Sequence, residues 1–257
     1  IRWVAHLVVF NATNLLMLIV CTHRKHKNVV GLHGVCTSEE GDPLVVMSFA
    51  AKNTLVHFLE FSSCDQIDSE ERFQILEGIA QGLRMIHACD ILHLDIKPAN
   101  VLIAEDGTPW LTDFGTSESL STTTRKGGAG TCQYMSPERF DDYEAPTKAA
   151  DVFSLGVLMW EVLVGETPWA GKDRAKIMKS VCMKEGRPSL ASGADWRESP
   201  HVVATGMGGL IELMWAQEHE DRPTIETASD APPPPPFFRL HTRRFFVRLN
   251  ELITLDL

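Results

Sequence analysis

The chain has 257 residues, 44% of them hydrophobic, and a formal net charge of −10. Its length suffices to bury a hydrophobic core, and its acidic balance argues against a nucleic-acid or anionic-membrane surface that covers the whole protein, since such binders are usually basic. The six cysteines show no C-x-x-C spacing, so neither a zinc site nor a dense disulfide framework is indicated, and a reducing, cytoplasmic setting is predicted.

The N-terminal segment, IRWVAHLVVFNATNLLMLIVC, is apolar but is not predicted to span a membrane. Arg2, His6, Asn11 and Asn14 interrupt it, and a span needs about 20 mostly apolar residues. The chain begins without Met, which leaves open whether further residues precede this segment.

Three elements are predicted from hydrophobic patterns in the next part of the chain. Two Val-rich runs, at residues 29–37 and 43–50, flank the polar stretch SEEGD and predict a β-hairpin. From Glu70 to Cys89, apolar residues recur at steps of three and four, which predicts an amphipathic helix. Two short apolar runs within residues 101–112 flank EDGTP and predict a second hairpin.

The second half of the chain is mainly helical by pattern. Residues 115–130 are rich in Ser, Thr and Gly and predict a mobile loop. Residues 151–165 are apolar on all sides, which predicts a helix at the centre of a helical domain. Residues 208–223 predict another helix, ended by Pro223.

Beyond that helix lies a tail of unusual composition. Five consecutive prolines, the first Pro232 and the last Pro236, favour polyproline II structure, and the residues after them are basic and amphipathic. An SH3-like domain that binds Pro232 to Pro236 is one interpretation of the run, and a plain linker is the other.

Two short strings carry the chemistry: HLDIKPAN at residues 93–100 and DFG at 113–115. Phosphoryl transfer requires a carboxylate that accepts or orients the proton of the attacking hydroxyl and a second one that holds magnesium. A neutral amide oxygen completes the metal shell, and a lysine offsets phosphoryl charge. Asp95, Asp113, Asn100 and Lys97 supply these four groups.

Together with these strings, several others in order resemble the catalytic domain of eukaryotic protein kinases. HKNVVGLHGVC is similar to the end of the C-helix and strand four, LVVMSFAAKNTLVHFL to strand five and the hinge, GTCQYMSPE to the end of the activation segment, and DVFSLGVLMWEVLVGETPW to the F-helix. The match runs from about Ala12 to Thr224, and several motifs in order are far more specific than one. KPAN resembles the serine/threonine type, and HKNVVGLHGVC and the F-helix string resemble its tyrosine-kinase-like branch.

The resemblance implies an α+β, protein-kinase-like two-lobe fold with a truncated small β lobe and a mainly helical large lobe. Residues 1–50 are expected to be a partial small lobe with the C-helix, strands four and five and the hinge, but without strands one to three. Residues 51–230 are expected to be the large lobe, and residues 231–257 a Pro-rich, basic tail.

The same resemblance implies the roles of the catalytic and metal-binding residues. Asp95 would be the catalytic base, Lys97 would lie by the transferred phosphate, and Thr131 would bridge the two. Asn100 and Asp113 would hold Mg²⁺. Asp95 and Asp113 are both expected inside apolar surroundings, where a carboxylate is costly without a role.

ATP would be held by four further residues. Met47 aligns with the gatekeeper, Phe49 and Ala50 with the hinge whose backbone meets adenine, and Leu102 with the apolar floor under the ring.

Three more residues are implied as structural supports. Glu138 and Arg222 would form a buried ion pair, and Asp151 would bind the backbone of HLDIKPAN, which resembles the catalytic loop of the family.

The chain also departs from the family pattern. No G-x-G-x-x-G precedes the catalytic loop, no lysine precedes Lys25, and the position of the C-helix glutamate falls at Met17. Leu94 stands where many kinases have an arginine that meets a phosphate on the activation segment, so any activity is not expected to depend on phosphorylation there.

Two functions follow from these observations. The first is a truncated fragment of a serine/threonine kinase that uses ATP and Mg²⁺ on protein substrates, and the four intact transfer residues favour it. The alternative is a pseudokinase, a non-catalytic interaction or allosteric module, which the missing Gly-rich loop and lysine favour. For the 257-residue chain alone we expect weak ATP binding and very low turnover.

Overall fold

The computed structural model of the protein describes residues 3–7, 25–61, 67–120, 130–140 and 145–225. Met17, most of the loop predicted after DFG, and the proline-rich tail lie outside these residues.

A small antiparallel sheet forms the first part of the fold. Its strands are β1 (Trp3–Leu7), β2 (Leu32–Thr37) and β3 (Pro43–Ser48), in the order β1-β3-β2 among the described residues. Gly41 turns the chain between β2 and β3 with a φ of 89°, a conformation that glycine adopts at little cost. The predicted hairpin of the two Val-rich runs is confirmed.

The strand β1 corrects one prediction. Strands one to three were expected to be absent, and no strand was predicted before residue 29. β1 nevertheless pairs along the free edge of β3, with Trp3 opposite Ser48 and Leu7 opposite Leu44. An edge strand is stabilised by backbone hydrogen bonds to a partner that is distant in sequence, so β1 depends on its pairing with β3.

Helices and short strands form the larger part of the described chain. The strands are β4 (Ile91–Leu92), β5 (Val101–Ile103), β6 (Pro109–Leu111) and β7 (Glu118–Ser119). The helices are α1 (Leu55–Phe61), α2 (Ser69–Ala88), α3 (Lys148–Val164), α4 (Arg174–Met178), α5 (Pro200–Thr205) and α6 (Gly208–Met214). The fold is therefore α+β, with a small sheet and a larger, mainly helical part.

The helix α3 lies at the centre of the helical part. Every residue from 150 to 160 is buried, and Trp160 is fully so, which confirms the predicted core helix. The predicted amphipathic helix is α2, which begins at the N-cap Asp68, whose carboxylate accepts from Glu71 N at 2.8 Å. Buried Arg72 of α2 donates to the carbonyl of Val162 at the end of α3, so the two helices are fixed to each other.

Two short antiparallel strand pairs support the candidate site next to this helical part. β5 and β6 form the second predicted hairpin, and β4 pairs with β7. Leu111 joins the hairpin to the chain that enters the small sheet, because its N–H donates to Asn28 O and its carbonyl accepts from Val30 N, both at 2.9 Å.

The last predicted helix is shorter than expected. α6 ends at Met214 rather than continuing to Pro223. The carbonyls that follow are taken by arginines from elsewhere: Arg187 Nε donates to Trp215 O, and Arg222 donates to the carbonyls of residues 216 and 217. The arginines thereby satisfy carbonyls that lie beyond Met214, the last residue of the helix. None of the described helices is long and apolar enough to cross a membrane.

Candidate active site

The centre of the site is the carboxylate of Asp95. Lys97 Nζ lies 2.6 Å from its Oδ2, and Asn100 Nδ2 donates to the same oxygen at 2.9 Å. Thr131 donates its backbone N–H and its hydroxyl to Oδ1 at 2.9 and 2.8 Å, and its Oγ1 accepts from Lys97 at 2.7 Å. The structure thus brings the four predicted catalytic residues into one hydrogen-bonded cluster.

This cluster keeps the Asp95 carboxylate charged. Burial favours the neutral acid, but the hydrogen bonds from Lys97 and Thr131 and the charge of Lys97 outweigh it and lower the pKa of Asp95 below its ordinary value. The residue is 9% exposed, so the charge is almost wholly compensated by protein groups.

The backbone of the loop that carries Asp95 is held by hydrogen bonds to Asp151 of α3. The Oδ2 atom of Asp151 accepts from His93 N at 2.8 Å, and its Oδ1 accepts from Leu94 N at 2.7 Å. Burial opposes the charged form, but the hydrogen bond from His87 and these amides lower the pKa of Asp151. The predicted contact with the loop backbone is confirmed.

Two residues of the site have left-handed backbone. Leu94 has a φ of 65° and Asp113 one of 60°. Such conformations cost about 1–3 kcal/mol for residues other than glycine and persist only where surrounding contacts impose them. At Leu94 the imposing contact is the hydrogen bond to Asp151.

Asp113 is exposed, which corrects the expectation that it lies inside an apolar strand. The strand β6 ends two residues before it, and Asp113 Oδ1 accepts from Gly115 N at 3.3 Å. Thr112 N donates to Asn100 O at 3.1 Å, so the segment that carries Asp113 runs beside Asn100. The carboxylate is therefore accessible to a ligand rather than enclosed.

His93 and Phe114 fix the direction of this segment. The rings lie 5.2 Å apart between centroids with an angle of 47°, and His93 Nε2 lies 3.0 Å from Thr112 O. Phe114 is 4% exposed. His93 is fully buried and hydrogen-bonded in the core, and the buried Phe114 leaves its neighbour Asp113 at the surface.

Asn100 and Asp113 supply oxygen donors that suit a hard divalent cation. Asn100 Nδ2 is taken by Asp95 O and Oδ2, which leaves the amide oxygen for a ligand. Magnesium commonly takes one or two protein oxygens together with substrate phosphates and water. The described residues contain no cluster of three His, Cys, Asp or Glu that could hold a metal ion alone, and the pair fits a site shared with phosphates.

The residues predicted to meet adenine lie on the small sheet and the β5 strand. Met47 and Leu102 are partly buried and pack against the main core. Phe49 is 39% exposed and follows β3, with Ala50 next to it. Their contact with a nucleotide stays a prediction.

Two supports of the site were predicted and one was missed. Arg222 binds both carboxylate oxygens of Glu138, at 2.7 and 2.9 Å, which confirms the ion pair. Tyr134 donates its hydroxyl to Glu161 at 2.6 Å, a pair that the sequence did not suggest. Glu161 lies in an apolar run and Tyr134 in a mostly polar one, and no spacing signals their contact.

A profile of the protein kinase domain matches residues 16–232, most of the chain. The chain belongs to the protein kinase domain family. The domain is α+β and two-lobed, of the serine/threonine type and the tyrosine-kinase-like branch. Protein kinase domains use ATP with divalent metal ions and act on protein substrates.

Three relatives illustrate the similarity of this kinase domain to known proteins. Receptor-interacting serine/threonine-protein kinase 3 of Rattus norvegicus is 33% identical over 79% of this chain and 44% of its own length. Mitogen-activated protein kinase kinase kinase 13-B of Xenopus laevis is 31% identical over 78% of this chain and 20% of its own. A G-type lectin S-receptor-like serine/threonine-protein kinase of Arabidopsis thaliana is 31% identical, over 93% of this chain and 32% of its own. The chain spans less than half the length of these relatives.

Proposed function

We propose that this kinase domain transfers the terminal phosphoryl group of Mg²⁺-bound ATP to serine or threonine hydroxyls of protein substrates. The observation that carries the proposal is the cluster in which Asp95, Lys97 and Thr131 are mutually hydrogen-bonded, at 2.6 to 2.8 Å between side chains. Such a set positions a base and a cation around one reacting hydroxyl.

Asp95 orients the substrate hydroxyl and takes its proton. Its lowered pKa keeps it ionised at neutral pH, because the bonds from Lys97 and Thr131 outweigh burial. Lys97, held by Asp95 and Thr131, places an ammonium where charge develops on the transferred phosphoryl group. The three side chains brace one another, so their positions need little adjustment during transfer.

Asn100 and Asp113 hold the metal ion. Bound there, Mg²⁺ would supply positive charge that offsets the charge of the phosphates. Met47 as gatekeeper and Leu102 as apolar floor would line the adenine site, and the backbone at residues 49 and 50 would bind the edge of the ring.

A non-catalytic module is the second candidate, and β1 is the observation that favours it. Its sequence WVAHL carries the Val-Ala of the V-A-I-K signature, but Leu7 stands in the place of lysine. A strand of that kind offers no ammonium to the ATP phosphates, so ATP binding is weak.

Two predictions concern the cellular location of the domain and a binding partner. A cytoplasmic location follows from the absence of a disulfide pattern in the sequence. An SH3-like partner at Pro232 to Pro236 follows from the proline run alone.

Asp95→Asn tests the catalytic proposal in the full-length protein. Transfer of labelled phosphate from Mg²⁺-ATP to a serine-containing protein should be abolished, while ATP binding measured by calorimetry stays unchanged. Asp221→Asn, at an exposed position, is the matched control and should keep full activity. Retained transfer by Asp95→Asn would refute the assignment, and ATP binding without transfer in the wild type would favour the non-catalytic module.

A further inference from the structure

The residue before Thr131 is a glycine whose backbone lies directly against the catalytic loop. Gly130 has a φ of 118°, a conformation that glycine adopts readily and that residues with a side chain rarely adopt. A Cβ atom at this position would lie 2.9 Å from the carbonyl oxygen of Leu94 and 3.7 Å from Asp95 Oδ1. Because the shorter of these distances is closer than a Cβ atom approaches an oxygen, the position has room only for a glycine.

The backbone that Gly130 approaches is itself held in place. Leu94 N donates to Asp151 Oδ1 at 2.7 Å, and Asp151 is fully buried. The side chain of Leu94 is 7% exposed and belongs to a small buried apolar cluster. A carbonyl fixed in this way cannot move aside as the end of a flexible side chain can, so a Cβ at residue 130 would displace the segment of Gly130 instead.

The position of Thr131 depends on that close approach. Its backbone N–H, which belongs to the peptide group between Gly130 and Thr131, donates to Asp95 Oδ1 at 2.9 Å. Its hydroxyl donates to the same oxygen at 2.8 Å and accepts from Lys97 at 2.7 Å. Displacement of Gly130 would carry this peptide group away from Asp95 and lengthen these hydrogen bonds, which weaken steeply once their geometry is lost.

We propose that Gly130 is a positioning residue for phosphoryl transfer, because its missing side chain lets the backbone of Thr131 reach Asp95 across the carbonyl of Leu94. Gly130 acts through Thr131, which holds the base and the cation. The residues assigned to adenine lie on the small sheet and on β5, so Gly130 affects the transfer step rather than ATP binding. Only this catalytic consequence rests on the proposed function; the backbone contact does not.

Hydrogen exchange in the full chain tests the contact itself. In Gly130→Ala, the amide of Thr131 should exchange about tenfold faster, because its hydrogen bond to a carboxylate is weakened. The amide of Leu158, at the centre of α3, should keep its wild-type rate. An unchanged rate at Thr131 would overturn the proposal, and so would faster exchange at Leu158 or failure to fold, because Gly130 would then act on the whole domain.

Gly171→Ala is the matched control for backbone strain. Gly171 also has a positive φ, 73°, but a Cβ there would meet no other atom within 4 Å. The control therefore shares the unfavourable conformation without the clash, and the Thr131 amide should exchange as in wild type. Faster exchange at Thr131 in Gly171→Ala would contradict the proposal, because strain alone would then explain the effect.

Kinetics in the full-length protein test the positioning role. Gly130→Ala should lower kcat by about 10- to 100-fold with an unchanged KM for ATP, whereas Gly171→Ala should keep both values. Burial raises the pKa of Asp95, and the hydrogen bonds from Lys97 and Thr131 outweigh it. Weaker bonds from Thr131 should therefore move the acid limb of the kcat–pH profile of Gly130→Ala to higher pH.

A fall in kcat without that shift of the acid limb would overturn the positioning role, because a general loss of structure would suffice to explain it. If the wild type transfers no phosphate, the proposed function fails. The exchange experiment still decides in that case whether Gly130 holds Thr131 against Asp95.

Discussion

Thr131 donates twice to one oxygen of Asp95, through its backbone N–H at 2.9 Å and its hydroxyl at 2.8 Å. The same hydroxyl oxygen accepts from Lys97 at 2.7 Å. Thr131 therefore holds both Asp95, the proposed base, and Lys97, the proposed phosphate-binding cation.

Thr131→Val should remove the hydroxyl while keeping the shape of the side chain. Asp95 then loses one hydrogen bond and Lys97 loses an acceptor, which predicts a fall in kcat of about 10- to 100-fold, equivalent to about 1–3 kcal/mol. The KM for ATP should not change. Thr131→Ser keeps the hydroxyl and is the matched control; a similar loss in both variants would show that the hydroxyl is not the cause.

Asp151→Asn should destabilise the domain by about 3 kcal/mol at neutral pH, because His93 N, Leu94 N and His87 lose a charged acceptor inside the core. The folded state lowers the pKa of Asp151, so its stabilising contribution is present above the pKa of the unfolded carboxyl and is lost as pH falls through the folded one. The difference in unfolding free energy between variant and wild type should therefore become smaller at acidic pH.

Urea unfolding at several pH values measures that difference. Asp221→Asn, on the surface, should be within about 0.5 kcal/mol of wild type. If the difference in unfolding free energy between Asp151→Asn and wild type stayed constant with pH, the role assigned to the charge of Asp151 would be contradicted.

Arg222→Lys should cost about 2–4 kcal/mol of unfolding free energy, because lysine cannot make the paired bonds to Glu138. Arg222 Nη1 and Nη2 lie 2.7 and 2.9 Å from the two oxygens of Glu138, and Nε donates to Ala216 O at 2.9 Å. Burial opposes the charged form of Glu138, but the Arg222 bonds lower its pKa.

Arg197→Lys is the matched control for that substitution. Arg197 also pairs with carboxylates, Asp195 and Glu212, but all three side chains are about half exposed. Arg197→Lys should therefore lower the free energy of unfolding by less than about 1 kcal/mol, measured by thermal or urea unfolding. Equal losses at the two arginines would argue against the importance of the buried pair.

Glu161→Gln should change how stability depends on pH. Burial raises the pKa of Glu161 to about 7 from an ordinary 4.5, although the Tyr134 hydrogen bond acts in the opposite direction. The folded carboxyl thus adds stability that is complete below pH 4.5 and is lost as pH rises through about 7. Since glutamine does not titrate, the variant should gain about 3 kcal/mol relative to wild type across this range.

Urea unfolding at about pH 5 and about pH 8 gives the difference directly. Glu198→Gln, at an exposed position, should follow the wild-type curve. Parallel curves for Glu161→Gln and wild type would contradict the raised pKa of Glu161.

Local patterns were sufficient for much of the fold. The period of the apolar residues predicted α2, and the continuous apolar character of residues 151–165 predicted α3. The turn residues predicted both hairpins, because each of these signals lies within one short window. The cluster around Asp95 was also accessible, since the family resemblance placed Thr131 beside it. The contacts and distances that hold the cluster came only from the structure.

Features that depend on distant partners were not predictable in this way. The strand β1 forms on an edge supplied some forty residues later, and Arg187 and Arg222 bind the carbonyls that follow the end of α6. Asp113 was expected in apolar surroundings because apolar residues precede it, yet β6 ends at Leu111, before it reaches Asp113. In each case a tertiary contact, not local propensity, decides the outcome.

The left-handed backbone at Asp113 lowers the stability of the domain, while the side chain of the same residue is a proposed metal ligand. Its side chain is exposed, so glycine at this position would relax the backbone without removing any buried contact, with a gain of at most about 1 kcal/mol. A library selected for heat resistance alone would therefore tend to collect Asp113→Gly and lose the carboxylate. Selection for a more stable domain therefore has to include a screen for phosphoryl transfer in every round, because this substitution removes a proposed metal ligand.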